Sequence, residues 1–349
     1  MKFSVCIPNY NYARYLGRTI QSVLDQQGAE LEILVSDNAS TDDSLSVVRQ
    51  FTDPRIKLQQ NSCNIGFASN VERSARMATG DLMMMLSSDD LIRPGALACY
   101  QRLFGHLGSD SHSAIVSASW DIIDGEEQFI RYQGPHRSVW LESDRQPELE
   151  QLLEAKVYGV PAQEMLRRCL LNMRNPFNFA ATCYASALFR QVEGYGSRLM
   201  NPDKWFHWKV LGVAKMAYFV DKKLFAYRWH ASNQTNQQAA SDSLKFMVDD
   251  YTSTLELDGA ALSRAGISQD ELLRAYVEFD VARHGLATLA GGSRLRAQRI
   301  LDFGRAVYPE YVRRNGKARL LRLMLAMGPV GQFLTARAYR AHRAENGRS

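Results

Sequence analysis

Residues 82–90 read LMMMLSSDD: five apolar residues in a row, then Ser87, Ser88, Asp89 and Asp90. An unbroken apolar run closed by polar residues predicts a strand buried on both faces, as in the middle of a parallel sheet. Upstream of it the chain alternates. Phe3 to Ile7 is a short apolar strand stopped by Pro8, and Leu16, Ile20, Val23 and Leu24 follow at helical spacing. Residues 31–35 (LEILV) predict a second strand, and residues 37–42 (DNASTD) are turn and cap formers. Leu45, Val47, Val48 and Phe51 predict a helix closed by Pro54. Residues 56–58 predict a third strand, 64–66 a loop, and 70–78 a helix ended by Gly80. This βαβαβαβ order predicts an α/β fold, a mostly parallel, doubly wound sheet flanked by helices. Ligands in such sheets bind at the carboxyl ends of the strands. There the chain places Pro8-Asn9-Tyr10-Asn11, Asp37-Asn38, Asn64 with Gly66, and Ser87 to Asp90.

Composition narrows the class. With 46% apolar and 23% charged residues, the 349-residue chain is globular rather than disordered, and its length suits two units. The five cysteines are odd in number, scattered and without CxxC spacing, which excludes a disulfide framework or a zinc site and predicts reduced thiols. No run approaches the ~18–20 apolar residues that span a bilayer, and the N-terminus lacks a signal-peptide pattern, so a cytoplasmic protein is expected. The segment after the first strand has no GxGxxG, and no GxxxxGK[ST] occurs, so phosphates are not cradled by a glycine-rich turn. A hard divalent cation held by Asp89 and Asp90 is the alternative, since such ions bind carboxylate and phosphate oxygens together.

These residues resemble the family 2 glycosyltransferases of the GT-A fold. The resemblance runs through SVCIPNYN (4–11), LGRTIQSVLDQ (16–26), EILVSDNASTD (32–42), NIGFASN (64–70) with ATGD (78–81), and MLSSDDLIRPG (85–95). The last looks like the metal-binding DXD segment. Two later stretches are similar as well: Gly194-Tyr195 followed by NPDKWFHW (201–208), and YRWH (227–230) followed by SNQT (232–235). The resemblance implies a GT-A, Rossmann-like catalytic domain over 1–238, with a donor half to about 120 and an acceptor half beyond it. A helical, basic C-terminal region over 239–349 has no counterpart. It further implies inverting transfer from a nucleotide-diphospho sugar, UDP or dTDP favoured, to a glycan or lipid-linked glycan hydroxyl in bacterial O-antigen, capsule or exopolysaccharide synthesis.

Roles follow residue by residue. Asp37 would accept the imide N–H of a uracil or thymine ring, or else cap the turn after its strand. Pro8, through its backbone, and Tyr10 would flank the base. Asn9, Asn64, Gly66, Asn70, Ser88, Asp89 and Arg228 would complete the donor site. Asp89, Asp90 and His230 would hold Mg2+ or Mn2+, which neutralises the leaving diphosphate. His230 has a plain structural reading too. Asp203 would be the general base, walled by Trp205, Phe206 and Trp208, or would cap the helix Lys204–Val213. His207 has no role assigned from helical phase.

The chain departs from the family pattern in three places. Ser87 replaces the first acid of DXD; Ser69 stands where an Arg is common, with Arg73 one turn on as a substitute; and Pro202 replaces an acid before Asp203. A nucleotidyltransferase shares the sheet and the metal, but its glycine-rich basic loop is missing. A non-catalytic glycan- or membrane-binding scaffold is the reading that Ser87 leaves open. Residues 122–132 predict a hairpin, and 139–171 carry Leu and Met at helical spacing. Residues 294–349 hold 13 Lys/Arg against 3 Asp/Glu, and the remainder 29 against 34. That basic region, with Arg319, Arg322, Arg337, Arg340 and Arg343 bordering apolar residues, reads as an interfacial helix on the inner face of the cytoplasmic membrane, or as a packed helix with arginines in solvent. Nucleic acid is not expected, because no nucleic-acid-binding motif accompanies the charge.

Overall fold

The computed structural model describes residues 1–196, 199, 202–230, 233, 243–257 and 259–346. Asn201, Ser232, Gln234, Thr235 and the expected boundary at 238 lie outside the described residues. The chain forms two compact units, residues 1–169 with 175–233, and residues 170–174 with 234–349.

In the first unit, the apolar runs become β1 (Lys2–Asn9), β2 (Glu30–Asp37), β3 (Ile56–Gln60) and β4 (Leu82–Met85). Phe3, Val5 and Ile7 on one face of β1 and Ser4 and Cys6 on the other are all fully buried, which is why the strand reads as continuous rather than alternating. The helices α1 (Ala13–Leu24), α2 (Ser44–Arg49) and α3 (Phe67–Arg76) connect them. Each buries one stripe; in α1 it is Leu16, Ile20 and Val23. β1 runs parallel to β2 and to β4, and β2 parallel to β3. The spatial order β3-β2-β1-β4 therefore reverses direction between β1 and β4. This is a topological switch point, and the chain ends of both strands open onto it.

Past β4, the sheet becomes mixed. A two-residue strand, β5 (Leu91–Ile92), precedes α4 (Ala96–Leu107) and β6 (Ala114–Ile123), and β7 (Phe129–Gln133) pairs back on β6 as the expected hairpin. The stretch expected to be helical over 139–171 is only partly so. Between α5 (Pro147–Leu153) and α6 (Ala162–Asn172) lies a strand, β8 (Lys156–Pro161). Its Val157, Tyr158 and Val160 are buried against the neighbouring strand, so tertiary pairing overrides the local helical pattern. β9 (Cys183–Ala185) fills the gap between β4 and β6, antiparallel to both. After α7 (Ser186–Gln191) and α8 (Pro202–Val213), β10 (Met216–Arg228) runs parallel to β6 and antiparallel to β5 and β8. Four of the five cysteines are buried and all five are free thiols.

Away from the switch point, β1 and β2 are tied by a buried acid. Glu32 accepts from Ser4 Oγ (2.7 Å), Lys2 Nζ (2.9 Å), Lys57 Nζ (2.8 Å) and the Thr79 amide (2.8 Å). Burial raises its pKa, but these donors together hold the carboxyl well below the usual range. Gly80 is required beside it, because a Cβ there would lie 2.6 Å from the Lys2 carbonyl oxygen.

The second unit is helical from Ser243–Glu256 to Gly328–Asn346, interrupted by a π-helical stretch at Val277–Arg283. Leu272, Tyr276, Leu289, Ile300 and Leu321 are buried within it. Among the described residues no helix is long and apolar enough to cross a membrane.

Candidate active site

The strand ends at the switch point are laced by short polar side chains. Asn9 Nδ2 donates to Asp37 Oδ1 (2.9 Å) and Ser40 Oγ (3.2 Å), and Ser40 closes an Asx turn with its amide on Asp37 Oδ2 (2.9 Å). Asn70 reaches from α3 to the Ser36 and Asn9 carbonyls (2.9 and 3.3 Å), while its oxygen accepts from Ser36 Oγ (2.8 Å) and Asn61 (3.1 Å). Asn64 Oδ1 accepts from Asn38 and from the Gly66 amide, both at 2.9 Å, and so shapes the loop that Gly66 turns at φ +84°. Ser88 Oγ donates to the Pro8 carbonyl (3.1 Å), and Tyr10 projects outward, 40% exposed.

Asp37 and Asn70 are almost fully buried, and their polar atoms are engaged by the protein. The geometry makes them braces for the strand ends. Asn9 differs: its Oδ1 is buried without a partner and is an acceptor open to use. Arg73 lines a cleft of about 400 Å³ with Ile65, Ser69, Glu72 and Arg76, and its buried Nε has no hydrogen-bond partner.

Asp89 and Asp90 point different ways. Asp89 Oδ2 lies 2.9 Å from His230 Nε2 and 3.4 Å from Asn233 Nδ2, and the His230 ring packs on Tyr15 and Tyr12. Asp90 Oδ1 instead accepts the backbone amide of Arg228 (2.9 Å). Burial, with the Asp89 charge beside it, pushes the Asp90 pKa well above the usual range. Asp90 is thus an internal anchor, which corrects its expected place among metal ligands. A carboxylate oxygen beside an imidazole nitrogen suits Mn2+ and, less well, Mg2+. Among the described residues no cluster of three His, Cys, Asp or Glu side chains forms a closed metal cage.

Arg228 corrects another expectation. It is 1% exposed, and its guanidinium donates to the Asp89 carbonyl (2.8 Å), Glu127 (3.1 Å) and the Asp124 and Gly125 carbonyls (3.4 and 3.3 Å). It also lies over the Tyr15 ring, 4.7 Å from the centroid. From α1, Thr19 Oγ1 donates to the Ser88 and Asp90 carbonyls. The Ser87 to Asp90 loop is therefore clamped from two sides, and Arg228 holds it from one of them.

Asp203 stands in the first turn of α8. Burial raises its pKa, opposed by the Lys204 amide, its own amide, the Lys204 charge and Asn175, whose Nδ2 donates at 3.1 Å. The helix is seated by Phe206, stacked on Tyr195 with centroids 3.9 Å apart, and by Lys209, which donates to the Val192 and Gly194 carbonyls. Gly194 takes φ +79°, a backbone conformation strained for any L side chain. Phe206 and Trp208 are fully buried, so they are core and not the sugar-site wall expected from sequence. Trp205 alone of the three is partly exposed.

The sequence pattern described as glycosyl transferase family 2 matches residues 4–173. These residues are a family 2 glycosyltransferase domain. A glycosyltransferase of Nostoc sp., itself uncharacterised, is 28% identical over 327 residues, 88% of this chain and 83% of that one. Abequosyltransferase RfbV of Salmonella typhimurium is 33% identical over 152 residues, 41% of this chain. The match spans 42% of RfbV, less than half of its length. Among solved structures, S. aureus TarS 1–349 in complex with UDP-GlcNAc superposes with a TM-score of 0.64 at 19% identity, covering 99% of this chain and 92% of that one. The glycosyltransferase thus has the GT-A arrangement, with a helical C-terminal region.

Several residues of this glycosyltransferase site escaped the sequence reading. Thr19 lies within the 16–26 stretch but had no role assigned there, and Glu127 carries no motif. His207 did carry a signal: it is four residues from Asp203 on one helix, and that spacing places both on one face. It is fully buried, and burial pushes its imidazole pKa down to about 3.

Proposed function

We propose that this glycosyltransferase moves a sugar from a nucleotide-diphospho sugar, UDP- or dTDP-linked, to a hydroxyl of a glycan or lipid-linked glycan, with inversion. The setting is bacterial surface polysaccharide synthesis. The observation that carries the reading is the Asp89–His230 pair, held at the switch point by Arg228 and Thr19. Asn9, Tyr10, Asn64, Gly66 and Ser88 form the polar rim where a nucleotide would lie, and the Pro8 carbonyl borders it. Asp89 and His230 would hold Mn2+ or Mg2+. When bound, such an ion offsets negative charge on the departing diphosphate. Asp203 takes the acceptor proton as the acceptor oxygen bonds to the anomeric carbon. The bond from that carbon to the diphosphate oxygen breaks, and its electron pair leaves with the nucleoside diphosphate. A raised Asp203 pKa suits a base that must recover its proton-accepting form near neutrality.

The test is a panel of nucleotide sugars read by thermal stabilisation with and without Mn2+, followed by transfer assays on Asp203→Asn. Metal-dependent stabilisation by one donor in both proteins, with transfer lost by about 10²–10⁴-fold in the variant, is expected. Full transfer by Asp203→Asn overturns the base assignment.

The membrane reading gains support from the C-terminal unit taken alone. Leu320, Leu323, Val330 and Phe333 are exposed on helices Gly316–Ala326 and Gly328–Asn346, and Met327 at the cap between them, with Arg319, Arg322, Arg337 and Arg340 around them. Between residues 311 and 344 there are eight Lys/Arg and no Asp or Glu. An apolar face ringed by cations suits an anionic leaflet. It disfavours self-association through the same face, which would set like charges together.

A further inference from the structure

We infer that Asn175 is a positioning residue for the Asp203 carboxylate, and that His207 fixes which way the Asn175 amide faces. The inference rests on the reading of Asp203 as the base.

The orientation of the amide is fixed by its neighbours. Asn175 Oδ1 lies 3.2 Å from the backbone amide of Phe177, which can only donate. The atom facing it must therefore be the oxygen, and the opposite end must be the NH2 group. That end lies 3.1 Å from Asp203 Oδ2 and donates to it. The same Oδ1 lies 3.1 Å from His207 Nδ1. An amide oxygen can only accept, so Nδ1 carries the hydrogen and the ring is the neutral Nδ1–H tautomer. A directed chain results: His207 Nδ1–H to Asn175 oxygen, Asn175 N–H to Asp203. It joins α8 to the loop after α6 and limits rotation of the carboxylate.

Its chemical effect has a sign. A donor on the carboxylate favours the ionised form, which is the form a base needs, against the burial that favours the protonated one. Among the described residues, the charged and titratable groups that act on Asp203 include Lys204 on its own helix and Tyr195 before it; His207 is neutral in the working pH range and adds no charge. Asn175 thus supplies polarity to a partly buried base without a second titrating group.

The experiment is a carboxyl-carbon NMR titration of the full chain labelled at aspartate, with the Asp203 signal assigned from its loss in Asp203→Asn. Asn175→Ala is expected to weaken Asp203 as an acid on the order of tenfold, moving its midpoint to higher pH. His207→Leu moves it the same way by less. His207→Asn, whose amide nitrogen replaces Nδ1, restores it. An unmoved midpoint in Asn175→Ala, with an unchanged thermal melt, overturns the inference. Should Asn175→Ala melt early, the His207→Leu and His207→Asn pair decides: equal midpoints in the two overturn it as well. Failure of the base reading shows separately, as transfer retained in Asp203→Asn whatever the titration gives.

Discussion

Replacing Arg228 with methionine distinguishes a brace from a ligand contact. Methionine keeps the stem volume and removes the guanidinium. Lost with it is a buried hydrogen bond from a charged donor to the Asp89 carbonyl, about 1.5–3 kcal/mol. A half-exposed ion pair to Glu127 adds about 0.5–1 kcal/mol. The stacking on Tyr15 adds about 1 kcal/mol. The two longer carbonyl contacts add little. Together these give about 3–5 kcal/mol, within the range for breaking a buried charged network. For a unit of this size, each kcal/mol moves the melting temperature by about 2–4 °C, so the first unit's transition falls by about 6–20 °C. The assay is thermal unfolding followed by fluorescence, alongside donor affinity measured well below the new transition. A melt within about 1 °C of the wild type, combined with lost donor affinity, refutes the reasoning and returns Arg228 to the diphosphate.

Three further outcomes are expected. Because burial raises the Asp203 pKa, transfer falls off on the acid side at a pH above the ordinary aspartate range, which a pH profile of kcat/KM measures. Glu32→Gln destabilises at neutral pH by about 2–4 kcal/mol, read by urea unfolding; since the native pKa of Glu32 is depressed, this difference is full above the unfolded value, near 4.5, and shrinks as pH falls below it. The chain sediments with phosphatidylglycerol vesicles but not with phosphatidylcholine ones, and Arg319→Glu with Arg322→Glu abolishes it; equal binding to both vesicles contradicts the charge argument.

The sheet's first strands were legible because strands covered on both faces carry short apolar runs, unbroken in β4 and interrupted only by Ser4 in β1 and Glu32 in β2. β8 was not, because its Val157, Tyr158 and Val160 sit within a run of Leu and Met whose spacing also suits a helix. Only β10, more than fifty residues away, decides between them. The site was legible as a set of residue types at strand ends. Their roles were less so. Sequence shows that position 228 is an arginine and position 37 an aspartate, but not whether their polar atoms are already engaged by the fold. Asp90 illustrates the limit: adjacent to Asp89 in sequence, it faces a backbone amide rather than the imidazole. His207 shows the opposite case, a signal present in the four-residue spacing and passed over because its partner, Asn175, lies on a distant loop.

The Asp89–His230 pair joins residues 141 positions apart. The carboxylate belongs to the first strands to leave a ribosome, and the imidazole follows the last strand of the sheet. Chain synthesis proceeds from the N-terminus, and domains order themselves as they emerge. The N-terminal strands can thus assemble before β10 docks beside β6 and delivers Arg228 and His230. Until it does, the Ser87 to Asp90 loop lacks one of its two clamps. The loop's ordering is therefore completed only once the last strand of the sheet is in place.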